Sequence, residues 1–140
     1  SGYSPSSLEG IFGNYASKIN SDPTFNVLSY ISSHDDCLGG RDNLIGAASA
    51  LLLTPGGAQI FYGDETARGK QWESLCANNY KDQVFRSDMN WNSIDKNVLS
   101  HWQKLGQFRN KHLSIGAGQH KMISSSPYTF SRSYQGEGCC

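Results

Sequence analysis

His34, Asp35, Asp36 and Cys37 follow directly on the apolar run "SYISS", and burial alone gives no reason to end such a run on an imidazole, two carboxylates and a thiol. Two chemistries use groups of this kind: nucleophilic attack by a Ser-His-Asp triad, and the holding of a ligand where a strand ends. The triad is disfavoured here. Ser33, His34 and Asp35 are consecutive, so along a strand they point in different directions, whereas triad members converge from separated positions. A structural alternative stays open beside the ligand site, in which Asp35 or Asp36 caps the next helix or turn and His34 satisfies a backbone carbonyl.

The elements that must position these residues are legible as hydrophobic patterns. In "SSLEGIFGNYASKI", Leu8, Ile11, Phe12, Tyr15 and Ile19 form one helical stripe, and Ser6 with Glu9 matches a capping box. After the turn residues "NSDP", the run "FNVLSYIS" is short, apolar and rich in β-formers, as expected of a strand buried on both faces. A second helix is expected in "RDNLIGAASALLLTPGG", with Asp42 as N-cap, with Leu44, Ile45, Ala48, Leu51 and Leu52 on one face, and with Pro55-Gly56-Gly57 as its stop. "AQIFYG" reads as another buried strand. In "NVLSHWQKLGQFRNKHL", Val98, Leu99, Trp102, Leu105 and Phe108 mark a third helix.

Helix, strand, helix, strand, helix with apolar strands implies an α/β layer or barrel built on parallel strands. His34, Asp35 and Asp36 then lie at the carboxyl end of a parallel strand, the face on which such folds build ligand sites. The stretch from Asp64 to Ile94 lacks strong periodicity and sits where these folds hang functional loops. Its aromatics Trp72, Tyr80 and Trp91 suit either stacking on a ligand ring or packing of the loop. "HKMISSSPYTFSRSYQG" alternates like two strands around a Ser-Pro turn, the opening hairpin of another unit.

Composition narrows the partners. The chain has 140 residues, 37% of them hydrophobic, and its 12 basic and 12 acidic residues cancel, so no net charge steers it to nucleic acid or an anionic membrane. No apolar stretch approaches the ~20 residues of a membrane span, and Ser1 to Gly10 lacks the layout of a signal peptide. Cys37, Cys76, Cys139 and Cys140 are too irregularly spaced for a zinc site. A Cys37 to Cys76 disulfide is available in an oxidising compartment. The adjacent pair Cys139-Cys140, in the terminal "GEGCC", fits no expected element.

Taken in order, "NVLSYISSHDD", a helix, and "LLLTPGGAQIFYGDE" resemble the last two strand regions of the α-amylase family of glycoside hydrolases, family 13. "GAQIFYGDE" follows that family's eighth-strand motif with Phe61 at its first aromatic position, and "RSDMNWN", "HWQKLGQFRNKH" and "IGAG" resemble its closing helix and the approach to its C-terminal β-domain. The similarity runs from about Phe25 onward and is strongest in character to the bacterial periplasmic type. It implies the C-terminal part of a (β/α)8 TIM barrel in residues 1–116, with the start of a C-terminal β-domain in residues 117–140.

What the resemblance implies for function is a retaining hydrolase of α-1,4-glucosidic bonds in starch, glycogen or maltodextrins. Asp35 matches the carboxylate that stabilises the transition state, and His34 the histidine that hydrogen-bonds the sugar being cleaved. The nucleophile and general acid of the family come from barrel strands four and five, outside this chain, which reads as a fragment inactive alone. Gly63, Asp64 and Glu65 match a family motif as well, with a structural role: glycine for a tight strand exit, carboxylates to hold loops. The resemblance further implies calcium in the full-length enzyme, with no ligands identifiable here, an α-glucan as partner, a monomer, and a periplasmic or secreted location. A transglycosylase or debranching enzyme of the same family, or a sugar-binding relative without activity, are the alternatives.

Overall fold

A computed structural model describes residues 4–35, 38–69 and 85–139. Helix α1 spans Pro5–Ser21, and its N-cap is Ser4, whose hydroxyl accepts from the Ser7 amide at 3.3 Å. The expected capping box of Ser6 and Glu9 does not form, and the cap lies two residues upstream. Proline at the first helical position has no amide to satisfy and a φ already suited to the helix, so Pro5 sets the start. Glu9 is left free for a distant contact described below.

Strand β1, Leu28–Ser29, pairs in parallel with strand β2, Gly57–Ala58, and helix α2, Leu44–Leu52, is the crossover between them. This β-α-β unit is the arrangement expected from the alternation of patterns. Its regular pairing is shorter than the apolar runs, and the expected burial on both faces is not seen: Leu28 is 61% exposed and Tyr30 58%. A parallel strand is covered only by neighbouring strands and helices, and β1 has β2 alone beside it among the described residues. Gly56 makes the close approach of the two strands feasible, since it holds φ +81° and a Cβ there would press on the Val27 carbonyl.

The cap of α2 is Asn43, one residue later than expected, accepting from the Gly46 amide at 2.9 Å. The core gathers Leu44, Ala48, Leu51 and Leu52 of α2 with Ala67, Val98 and Trp102. Ile45, expected on the same face, is 42% exposed and sits at the edge of the buried arc, about 100° around the helix from Leu44. Helix α3, Lys96–Lys111, begins at the N-cap Asp95 and packs on α2, where the Trp102 indole N–H donates to the Leu44 carbonyl at 3.1 Å. At its other end the Arg109 guanidinium donates to the carbonyls of Leu52, Thr54 and Gly56, which closes the C-terminus of α2.

A short helix α4, Ser114–Ala117, leads into an antiparallel sheet of β3 (Gln119–Ser125), β4 (Tyr128–Tyr134) and β5 (Glu137–Cys139) in the order β3-β4-β5. The expected hairpin around Ser126-Pro127 is there, with a third strand added. Glu137–Cys139 pairs with Arg132–Tyr134, so the terminal residues that fit no element from sequence are strand up to Cys139. Gln135 at φ +49° and Gly136 at φ +85° make the tight turn that brings them back.

Helix α1 docks on this sheet. Phe12 meets Phe130 edge-on at 5.5 Å, and the Glu9 carboxylate accepts from His120 Nε2 and the Tyr128 hydroxyl, each at 2.8 Å. The Arg132 Nε–H donates to His120 Nδ1 at 2.8 Å, so the bond network assigns the imidazole hydrogen to Nε2. Burial pushes the Arg132 guanidinium down to about 10.

Candidate functional site

The chain leaves β1 through Tyr30, bends at Ile31 and reaches Ser32, which is buried. The Ser32 hydroxyl donates to Asp64 Oδ1 at 2.8 Å and accepts from the Gly39 amide at 3.1 Å. Arg41 closes the arrangement, with its Nη1 2.8 Å from Asp64 Oδ1 and 3.0 Å from the Gly39 carbonyl, and its Nε–H donating to the Arg68 carbonyl at 2.8 Å. Both ends of the segment holding His34 and Asp35 are therefore tied to one carboxylate.

That carboxylate comes from the turn after β2. Gly63 has φ +91°, and a Cβ there would overlap the Arg68 side chain, so the exit from the strand requires glycine. Glu65 folds back to accept from the Gly63 amide at 3.0 Å. Arg68 stacks over the Tyr62 ring at 3.9 Å and donates to the Tyr62 carbonyl, to the Phe85 carbonyl and to the Ser87 hydroxyl. Gly63, Asp64 and Glu65 thus have the structural role read from the sequence, and Arg68, which that reading did not include, joins them.

Asp64 and Arg41 are sealed from water, at 0% and 1% side-chain exposure. Burial pushes the Asp64 carboxyl up, against the opposing pull of Arg41 and the Ser32 hydrogen bond. A buried pair of this kind gains Coulomb energy in a medium of low dielectric but gives up the hydration of both ions.

His34 and Asp35 lie above this base, with side chains 64% and 70% exposed. His34 Nε2 is 3.0 Å from Asp35 Oδ2, Arg86 Nη2 is 3.5 Å from Asp35 Oδ1, and the Asp35 amide donates to Ser33 Oγ at 3.2 Å. The cap of α2 is Asn43, so Asp35 does not cap that helix. Asp36 lies outside the described residues, as do Cys37, Trp72, Cys76, Tyr80 and Cys140. Trp91 is 72% exposed in a 3-10 turn, Trp91–Ser93.

An accessible carboxylate carrying an imidazole and a guanidinium can accept hydrogen bonds from ligand hydroxyls and stabilise positive charge that develops beside it. The sequence did not reveal Ser32, Arg41 or Arg86 as partners. Arg41 carried the one usable signal, a lone cation just ahead of an apolar helix. Among the described residues no group of three or more His, Cys, Asp or Glu side chains is placed to hold a metal ion, so the implied calcium finds no ligand set there. No helix of the described residues is long and apolar enough to cross a membrane. Cys139 carries a free thiol, 3.3 Å from the Ser114 hydroxyl.

No family model matches the chain. Over 116 residues it is 46% identical to the periplasmic alpha-amylase of Escherichia coli (strain K12), a match that takes in 79% of this chain and 16% of that protein. The chain thus spans about a sixth of its curated relative. Among solved structures, it is similar to a variant of the trehalulose synthase MutB in complex with Tris, at a TM-score of 0.56 and 15% identity, covering 88% of this chain and 36% of that one. A MutB variant in complex with glucose superposes at a TM-score of 0.50 and 14% identity, over 79% of this chain and 33% of that one. These likenesses show the fold, the C-terminal part of a (β/α)8 barrel followed by the start of a β-domain.

Proposed function

We propose, from the premise that this chain belongs to the α-amylase family of glycoside hydrolases, that the protein carrying it hydrolyses α-1,4-glucosidic bonds of starch, glycogen or maltodextrins. The observation that carries this reading is the 46% identity over 116 residues to a periplasmic alpha-amylase. Residues 1–116 are then the last strand-helix units of the barrel. Residues 117–140 begin the β-domain, in keeping with the change from parallel β1-β2 to antiparallel β3-β4-β5.

In this reading Asp35 and His34 act on the sugar whose bond is broken. Glycoside cleavage passes through an oxocarbenium-like state, in which positive charge grows at the anomeric carbon and the ring flattens. A carboxylate held beside the ring stabilises that charge and grips ring hydroxyls more tightly in the transition state than in the substrate, and only this difference accelerates the reaction. His34 donates a hydrogen bond to a sugar hydroxyl. The nucleophile and general acid come from the part of the barrel outside this chain, and the enzyme works as a monomer in the periplasm or outside the cell.

Incubating the full-length protein with maltoheptaose tests the reading. Shorter linear maltooligosaccharides released with the α-configuration are expected. Products of higher mass or with new linkages would replace hydrolysis by glycosyl transfer, and no turnover would contradict both.

A further inference from the structure

His34 and Asp35 are accessible, yet the two flanks of their segment are held by groups sealed from solvent. Ser32 on one side and Gly39 with Arg41 on the other all converge on Asp64, which belongs to a different β-to-loop junction. We propose that Asp64, acting through Ser32 and Arg41, is a positioning residue that fixes the segment bearing Asp35 in the geometry that turnover needs. This rests on the reading of Asp35 as the transition-state carboxylate.

Three observations carry it. One carboxylate oxygen, Oδ1, takes both the Ser32 hydroxyl and the Arg41 guanidinium at 2.8 Å, so movement of either flank is felt at the same atom. The Ser32 hydroxyl is also the acceptor for the Gly39 amide, which closes the segment across its base. The pair is, moreover, sealed from solvent, with side chains 1% and 0% exposed. A buried ion pair is a poor stabiliser compared with apolar side chains of similar size, and its attested use is to specify one geometry out of several. Its own anchors are firm. Arg41 Nε is tied to the Arg68 carbonyl, and the Arg68 guanidinium is held by Tyr62, Phe85 and Ser87.

Preorganisation of this kind acts on rate more than on affinity, because a displacement of about 1 Å in a reacting group can cost roughly a hundredfold in turnover. Asp64→Asn is the direct variant, but it strands the Arg41 charge and risks the fold. Ser32→Ala removes the shared hydroxyl and leaves the Arg41-Asp64 pair in place.

The experiment measures kcat and KM on a maltooligosaccharide, together with the thermal midpoint, for the full-length enzyme and its Ser32→Ala, Asp35→Asn and doubly substituted forms. Ser32→Ala is expected to lower kcat about tenfold or more while KM stays within about twofold. In the Asp35→Asn background the same change is expected to lower kcat no further, since Ser32 acts through the segment that carries Asp35. A fall in thermal midpoint with kcat preserved, or two losses that simply add, would overturn the inference while leaving the Asp35 assignment intact. Normal activity of Asp35→Asn would remove that assignment, and this inference with it.

Discussion

Arg41 and Asp64 meet at 2.8 Å with both side chains closed to solvent, and together they join the turn after β2 to the segment that follows β1. The contact spans the crossover helix α2 in sequence, so it fixes how the two strand ends lie side by side.

Removing one member of that pair strands the other as a buried charge. Arg41→Met is expected to destabilise the protein by about 3–5 kcal/mol, whereas Arg41→Met combined with Asp64→Leu regains most of that loss because no lone ion remains. Thermal unfolding of the two variants makes the comparison. A double variant no more stable than the single one would contradict this account of the pair.

The contact between Glu9 and His120 predicts a dependence on pH. Burial pushes the Glu9 carboxyl up, but hydrogen bonds from His120 and Tyr128 and the charge of Arg132 outweigh it, and the net result lies below the usual 4.5. A carboxylate depressed in the folded state contributes stability that is fully present above its unfolded value and is lost as pH falls through its folded value. The gap in thermal midpoint between the native protein and Glu9→Gln should therefore be greatest at pH 5 and above, and shrink as pH drops below 4.5. A gap that stays constant across this range would show that the ionised form of Glu9 is not what ties α1 to the sheet.

Arg109 gives a third expectation. Its guanidinium serves three carbonyls at the end of α2, and burial alone pushes it down from its ordinary value. Arg109→Ala leaves those acceptors unpaired and is expected to cost about 2–4 kcal/mol. Arg109→Lys should recover only part, because a point charge cannot reproduce the planar fork. Full recovery by lysine, read from the thermal midpoint, would argue against the geometry described here.

The parts of the fold that could be read in advance are those set by local pattern. Leu44, Ala48, Leu51 and Leu52 recur with the helical period, and they do form the buried face of α2. "FNVLSYIS" and "AQIFYG" carry the composition of parallel strands, and β1 and β2 do pair in parallel, but of the second run only Ala58 is strand and its Ile60 and Tyr62 are exposed. What could not be read depends on contacts distant in sequence. Nothing local tells that Glu9 will serve His120 and Tyr128 instead of a capping box, or that "GEGC" will return to pair with β4. At the candidate site the residue types of His34 and Asp35 were visible, but Ser32, Arg41 and Asp64 come together only through the crossover.

The role of Asp35 is decided by Asp35→Asn in the full-length enzyme, with kcat measured on a maltooligosaccharide and folding checked by thermal unfolding. Asparagine keeps the size of the side chain and removes the charge that would face the oxocarbenium-like state. A fall in kcat of about a hundredfold or more is expected with the thermal midpoint nearly unchanged, because a group acting on the transition state is lost from an accessible position. Turnover within a few-fold of the native enzyme would contradict it.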